Sequence, residues 1–219
     1  MKGIMLYLGM LIPLFAISQT EQKVKYIEIK KLVIDKRKSY DFSSRDSSVS
    51  IKIDTLIMHA NARINFLNKK EASMVVGYAQ IDNGAQLNGN DGKNNGTNLN
   101  LSINFADLKS LSINVPGLDA KTANRKFDNG NGGKIVVKYL SSGIKPQTEN
   151  SKQPAFLDIR NSAGGYTTNA QTDLVVVFSQ IRSGNPGRPL SQLPNGRVYS
   201  GNTGGEGKFT MTPVADLED

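Results

Sequence analysis

Apolar and polar residues alternate along one long stretch of the chain. From Leu56 to Phe66 every second residue is apolar, and the residues between them are mostly polar. A period of two over this length is typical of a half-buried β-strand. Single strands are usually shorter, so we expect a bend or an interruption near Ala60 and Asn61. A turn at 68–71 would return the chain antiparallel through 72–81.

Shorter segments with the same pattern recur along the chain. We predict further strands at 24–35, 99–105, 111–115, 134–140, 156–160, 197–199 and 208–212. Segments 101–105 and 111–115 are near copies of one another, which predicts a pair of adjacent strands. No third copy follows, so the pattern does not indicate a repeat architecture.

The longest apolar run outside the N-terminus lies within 173–181, where Leu174 to Phe178 are all apolar. Its three adjacent valines favour an extended backbone. A continuous apolar run predicts a strand that is covered on both faces. We therefore expect 173–181 to be the central strand of the domain.

Segments rich in Gly, Asn, Ser and Pro separate the predicted strands and are expected to be loops. They cover 40–50, 82–98, 116–133, 141–154 and 183–195. No convincing amphipathic helix is evident. The pattern predicts an all-β domain of roughly eight to eleven short strands, an antiparallel β-sandwich, with a β-barrel as the alternative.

The N-terminus has the features of a secretory leader. Lys2 precedes an apolar segment at 4–17, and Ala16-Ile17-Ser18 provides a small-x-small cleavage pattern. We expect residues 1–18 to be a signal peptide and residues 19–219 to form a single domain with a frayed acidic tail from 213 onward. The expected location is a bacterial periplasm, the cell surface or the medium, with no transmembrane segment after cleavage.

Charge is concentrated near the start of the expected mature chain. The formal net charge is +8, and seven basic residues lie between Lys23 and Lys38. Such a segment could bind an anionic glycan or a lipid headgroup. The candidate binding residues are Lys30, Lys31, Lys36, Arg37 and Lys38. Alternatively, lysines on an edge strand only prevent edge-to-edge aggregation.

Residues for catalysis or metal binding are sparse. His59 is the only histidine and the chain has no cysteine, so we expect no zinc site and a hydrogen-bonded or solvent-facing structural role for His59. The Asn-rich segment 88–96 resembles a calcium loop, but it contains only Asp91 as a carboxylate, with Asp82 before it. A flexible loop is the simpler interpretation, and no cofactor is expected.

The sequence favours a non-enzymatic exported protein that acts through surface contacts, such as an envelope, adhesin-like or assembly component. Such a protein would have a protein partner or self-associate. One alternative is the anion-binding module described above. Another is a hydrolase that uses a pair of carboxylates chosen from Asp54, Asp107, Asp158 and Asp173. Nucleic acid is disfavoured as a partner because few aromatic residues lie near the basic segment.

Overall fold

The structure is a computed structural model that describes residues 24–120, 122–124, 127–165, 175, 178–179 and 203–217. Every regular element of this part of the chain is a β-strand, apart from the helical residues 175 and 178–179, which confirms the predicted all-β character. The strands are β1 (Lys25–Ile34), β2 (Ser39–Phe42), β3 (Ser48–Met58), β4 (Arg63–Leu67), β5 (Glu71–Ile81), β6 (Ala85–Asn90), β7 (Asn98–Leu108), β8 (Ser110–Asn114), β9 (Ile135–Leu140), β10 (Phe156–Arg160) and β11 (Phe209–Val214).

All of these strands pair in parallel. Sheet A contains the six odd-numbered strands in the order β1-β3-β5-β7-β9-β11, and sheet B contains the five even-numbered strands in the order β10-β8-β6-β4-β2. Each coil of the chain therefore contributes one strand to sheet A and one to sheet B, and the strands of the next coil pair with them in the same sheets. This is a β-solenoid, and the prediction of an antiparallel β-sandwich, or of a β-barrel, is wrong.

The near copies at 101–105 and 111–115 show why the prediction failed. They lie in β7 and β8, which belong to different sheets and are separated by Lys109 at a corner. Each strand pairs instead with its counterpart in the next coil, so that Asn65 lies beside Asn88, 23 residues later. Alternation identifies a buried face but not the partner strand, so a coil and a hairpin give the same local pattern.

The predicted interruption near Ala60 and Asn61 is confirmed, because β3 ends before it and β4 begins after it. Asn61 has a φ of 59°, in the left-handed region that Asn tolerates. Gly84 occupies the equivalent corner of the next coil with a φ of 73°. The predicted loops at 40–50 and 82–98 are wrong in part, because they contain most of β2 and all of β6.

Several other predicted strands are confirmed. The segments 24–35, 72–81, 134–140, 156–160 and 208–212 correspond to β1, β5, β9, β10 and β11. β11 extends to Val214, into the tail that was expected to be frayed. Segment 197–199 and the leader at 1–18 lie outside the described residues.

The predicted central strand at 173–181 falls mostly outside the described residues. Three of its residues are described, and they are helical and exposed rather than extended and buried: Val175, Phe178 and Ser179. The prediction is wrong for these three. The core instead contains stacked side chains of successive coils, such as Ile51, Met74 and Leu101, each at most 1% exposed.

A third side of the solenoid connects sheet B back to sheet A, and its described residues form no regular strand. Its segments at 94–97, 115–118, 129–133, 161–165 and 203–207 lie side by side, and we call them the glycine bundle. Backbone N–H groups donate directly to carbonyls of the neighbouring segment: Leu118 to Asn94 at 2.7 Å, Gly130 to Leu118 at 2.9 Å, Gly164 to Gly130 at 2.9 Å, and Gly204 to Gly164 at 3.0 Å. The predicted loop 116–133 is thus irregular but hydrogen-bonded along part of its length.

Among the residues that the structure describes, no helix is long and apolar enough to span a membrane.

Candidate binding face

The outer face of sheet B is polar along most of its length. Alternate residues of its strands point inward, where Ile64, Leu87 and Ile113 are each at most 1% exposed. The residues between them therefore point outward and stack in register from coil to coil. Two outward columns result: Ser39, Arg63, Gln86, Ser112 and Asp158, and beside it Asp41, Asn65, Asn88, Asn114 and Arg160.

Four residues of the second column form a continuous chain of hydrogen bonds, which we call the amide ladder. Asn65 Nδ2 donates to Asp41 Oδ1 at 2.6 Å, Asn88 Nδ2 donates to Asn65 Oδ1 at 2.9 Å, and Asn114 Nδ2 donates to Asn88 Oδ1 at 3.3 Å. Each asparagine amide has two donor hydrogens and two acceptor lone pairs, so the ladder does not exhaust its capacity. The ladder therefore presents both donors and acceptors at intervals of about 4.8 Å, the spacing between strands.

A cleft of about 360 Å³ lies at the C-terminal end of this face. We call it the sheet B cleft, and its lining includes Gln86, Ser112, Asn114, Ser151, Phe156 and Asp158. Ser151 belongs to the connection between β9 and β10, which is held by Gln147. The Gln147 Nε2 donates to the carbonyl of Asn150, and the Gln147 Oε1 accepts from the backbone N–H of Glu149, each at 2.8 Å. A hydrogen-bonded turn thus contributes Ser151 to the wall of the cleft, and the strands of sheet B contribute most of the rest.

The charges in the sheet B cleft neutralise one another. Asp158 Oδ2 accepts hydrogen bonds from Arg160 Nε at 2.8 Å and from Ser112 Oγ at 3.1 Å. Arg160 Nη2 also lies 2.8 Å from the same oxygen. Asp158 and Arg160 are the only charged side chains that line the cleft in the described structure. The cleft therefore suits a polar ligand without net charge.

The five predicted anion-binding residues all lie in the first coil, at the opposite end of the solenoid from the cleft. Lys30 and Lys31 are exposed on β1, and Lys36, Arg37 and Lys38 are exposed at the corner before β2. In the described structure β1 pairs only with β3, so it is an edge of sheet A. The structure thus places these residues on one rim, and their role as a binding site stays a prediction.

His59 is exposed and hydrogen-bonded, as expected. Its Nδ1 lies 3.3 Å from Asp82 Oδ2, and Asp82 Oδ1 lies 3.1 Å from Lys109 Nζ. The three residues occupy the same corner of three successive coils. The hydrogen bond from Lys109, and a weaker one from His59, lower the pKa of Asp82 below its ordinary value against the opposing effect of burial. The same contact raises the pKa of Lys109.

The calcium-like segment uses its carboxylate internally. Asp91 Oδ1 accepts from the backbone N–H of Lys93 at 2.7 Å and of Asn95 at 3.0 Å, and Oδ2 accepts from Asn95 Nδ2 at 2.8 Å. The neighbouring Asn94 is 1% exposed, and its Nδ2 donates to the carbonyls of Asn124 and Asp128. Segment 91–97 thus anchors the glycine bundle. No group of three or more potential metal ligands occurs among the described residues.

The carboxylates proposed for hydrolysis are distributed over both sheets. Asp54 and Asp107 lie on β3 and β7 of sheet A, Asp158 lies on β10 of sheet B, and Asp173 is outside the described residues. A second cleft of about 340 Å³ on sheet A is lined by Asp54 and Asp216.

Sequence reasoning missed the amide ladder. Its asparagines are separated by 23 and 26 residues, which equals the length of a coil. Recurrence of an asparagine at this spacing within a short alternating strand was the available signal.

No protein-family model matches the chain, and the searches of curated proteins and of solved structures found no similar protein.

Proposed function

We propose that this β-solenoid is a non-enzymatic binding module for an extended, uncharged polar polymer, which lies along the outer face of sheet B. The observation that carries the proposal is the amide ladder, in which neighbouring amides fix one another by hydrogen bonds. Side chains that are ordered before binding lose less conformational entropy when a ligand arrives. Stacked coils also repeat the same contact at regular intervals, which suits a ligand with a repeating structure.

The composition of the face supports an uncharged polymer. Amides and hydroxyls both donate and accept hydrogen bonds, and the Asp158–Arg160 pair is internally neutralised. The other two charged side chains of the columns, Asp41 and Arg63, have opposite signs and lie on adjacent coils. A polyanion would need more cations along this face than Arg63 alone, and a strongly apolar partner would leave the amides without hydrogen bonds. In keeping with the expected leader, we propose that binding takes place outside the cytoplasm.

The test measures binding of the full chain to soluble neutral polysaccharides by affinity electrophoresis. Asn88→Ala removes the centre of the ladder, and Asn100→Ala provides a matched control because Asn100 is exposed on the outer face of sheet A. We expect Asn88→Ala to weaken retention roughly fivefold or more, as expected for a lost polar contact, and Asn100→Ala to have no effect. Equal behaviour of the two variants, or no retention of the unchanged chain either on these polysaccharides or on an uncharged polymer of another class such as polyvinyl alcohol, would overturn the proposal.

The exposed basic rim of the first coil supports a second candidate function, the binding of an anionic glycan or a lipid headgroup. All five side chains reach solvent on one edge of the solenoid. The test is retention on vesicles containing anionic lipid and on an acidic polysaccharide, at low and high salt. Replacement of Lys36, Arg37 and Lys38 by Ser should abolish salt-sensitive retention. Retention that is indifferent to salt and to these substitutions would leave the lysines as edge protection only.

A further inference from the structure

We infer that the polymer is a neutral carbohydrate and that one sugar ring of it packs against Phe156 in the sheet B cleft. This inference rests on the proposed function and names its ligand class. The two can fail separately, because Phe156 is not part of the amide ladder.

The position of Phe156 is unusual for an apolar residue in this sheet. Its neighbour Leu157 points inward and is 1% exposed. Phe156 therefore points outward, where it pairs in register with the polar Ser110. It is half-buried and lines the cleft, but it is not among the partly buried side chains that pack against the core. Core packing thus does not explain an aromatic ring at this position.

The polar groups around the ring complement a sugar. Pyranose rings have an apolar face of C–H groups and a rim of hydroxyls, each of which donates and accepts hydrogen bonds. The side chains of Gln86 and Asn114 line the cleft beside Phe156 and can do both as well. Ser112, whose hydroxyl donates to Asp158, can accept a hydrogen bond there. A binding pocket that combines an aromatic surface with a few placed polar groups is the usual arrangement for a small polar ligand.

The same groups disfavour the other common polymers. A phosphate-rich ligand in the cleft would need a free cation there, but Arg160, the one cation that lines the cleft among the described residues, is bound to Asp158 through both Nε and Nη2. Acidic sugars would place a carboxylate near Asp158. A neutral glycan avoids both conflicts and can continue from the cleft along the amide ladder.

The test is an isothermal titration calorimetry experiment, in which the full chain is titrated with neutral hexasaccharides of glucose, mannose, xylose and N-acetylglucosamine. Phe156→Ala should weaken binding of at least one of them roughly tenfold, the effect of losing one aromatic contact. Tyr78→Ala is the matched control, because Tyr78 is an exposed aromatic residue on the outer face of sheet A, 41% exposed. It should leave binding unchanged.

A second variant keeps the test decisive if Phe156→Ala unfolds. The chain contains no tryptophan, so Phe156→Trp introduces a single tryptophan into the cleft, whose fluorescence can be excited selectively over that of the tyrosines. We expect this variant to bind as well as the unchanged chain and its emission to shift on addition of the same hexasaccharide. Binding without any spectral change would place the sugar elsewhere and overturn the inference.

The remaining outcomes separate the two proposals. If Asn88→Ala weakens binding and Phe156→Ala behaves like Tyr78→Ala, the inference about the ring is wrong and the proposed function stands. If no neutral hexasaccharide binds while an uncharged polymer of another class does, the inference that the ligand is a carbohydrate is wrong, and the proposed binding of an uncharged polymer to the outer face of sheet B stands. If the chain binds no uncharged polymer at all, both are wrong.

Discussion

The backbone carbonyl oxygen of Asn94 lies 1.6 Å from the position that a β-carbon would occupy on Gly130. Any residue other than glycine at 130 must therefore push two hydrogen-bonded segments of the glycine bundle apart. The same is true of Gly204, where a β-carbon would lie 1.8 Å from the carbonyl oxygen of Gly130. Glycine is required here for close backbone approach, because neither residue has a φ in the left-handed region.

We predict that Gly130→Ala lowers the free energy of unfolding by about 2 kcal/mol or more, through overpacking against the Asn94 carbonyl. Gly205→Ala is the matched control, since its β-carbon would meet only the Asn131 side chain, at 3.3 Å. Its effect should stay within about 0.5 kcal/mol. Urea unfolding monitored by circular dichroism measures both. An effect of Gly130→Ala as small as that expected for Gly205→Ala would show that close packing at Gly130 contributes little to stability.

Sequence patterns predicted many strands but not their arrangement, and the segment 56–66 shows why. Its alternation correctly identified the inward side chains, and Asn61 marked the interruption. A corner of a solenoid uses the same left-handed Asn and Gly residues as a hairpin turn. Local turn chemistry therefore does not decide whether the next strand returns beside the last one or continues into a second sheet.

The candidate site was harder to predict because it depends on alignment between coils. Asn65, Asn88 and Asn114 are each only the polar member of an alternating strand. They become a ladder when coils of 23 and 26 residues are superimposed, and the unequal lengths hide the repeat. Phe156 was correctly placed in a strand, but its outward direction follows only from the burial of its neighbour Leu157 in the folded solenoid.

A buried lysine links the connection between β4 and β5 to the connection between β2 and β3. Lys69 is fully buried, and its Nζ donates to the carbonyl of Ser44 and, at 2.6 Å, to the carbonyl of Asp46. We predict that Lys69→Met lowers the free energy of unfolding by about 1–3 kcal/mol, because both carbonyls lose their donor. Lys70→Met, at the adjacent exposed position, should change it by less than about 0.5 kcal/mol. A neutral or stabilising Lys69→Met would mean that desolvation of the ammonium outweighs its hydrogen bonds.

Lys69 should also make the free energy of unfolding depend on pH in the alkaline range. Burial lowers the pKa of its ammonium, and the nearby Asp46 opposes this only in part. Between the lowered folded pKa and the ordinary value of about 10.4, the unfolded chain binds more protons, so stability should rise with pH in this alkaline window. Urea midpoints measured across it should show a rise for the unchanged chain relative to Lys69→Met. Parallel curves for the two would contradict the prediction.

The Asp82 carboxylate provides a second test of electrostatics. Since Lys109 is the main cause of its lowered pKa, Lys109→Gln should raise the pKa of Asp82 more than His59→Gln does. Carboxyl-carbon NMR titration measures this directly. The folded pKa lies below the unfolded value, so the contribution of Asp82 to stability is present above about pH 4 and is lost as the pH falls through the folded pKa. An unchanged pKa in Lys109→Gln would show that the ion pair does not persist in solution.

The exposed lysines of β1 lie at the edge of sheet A, where they can oppose self-association of the protein. Within the described structure β1 lacks a strand on its outer side, and the inward Ile27 and Ile29 beneath it are only half-buried. A parallel edge with partly exposed apolar side chains is a template for association unless charge opposes it. We predict that Lys30→Thr combined with Lys31→Thr promotes self-association, measured as a concentration-dependent sedimentation coefficient.

The control is Lys36→Thr combined with Lys38→Thr, which removes the same charge at the corner and should leave the sedimentation coefficient independent of concentration. Association of both variants to the same extent would assign the effect to net charge, whereas association of the first alone would make edge protection the role of Lys30 and Lys31.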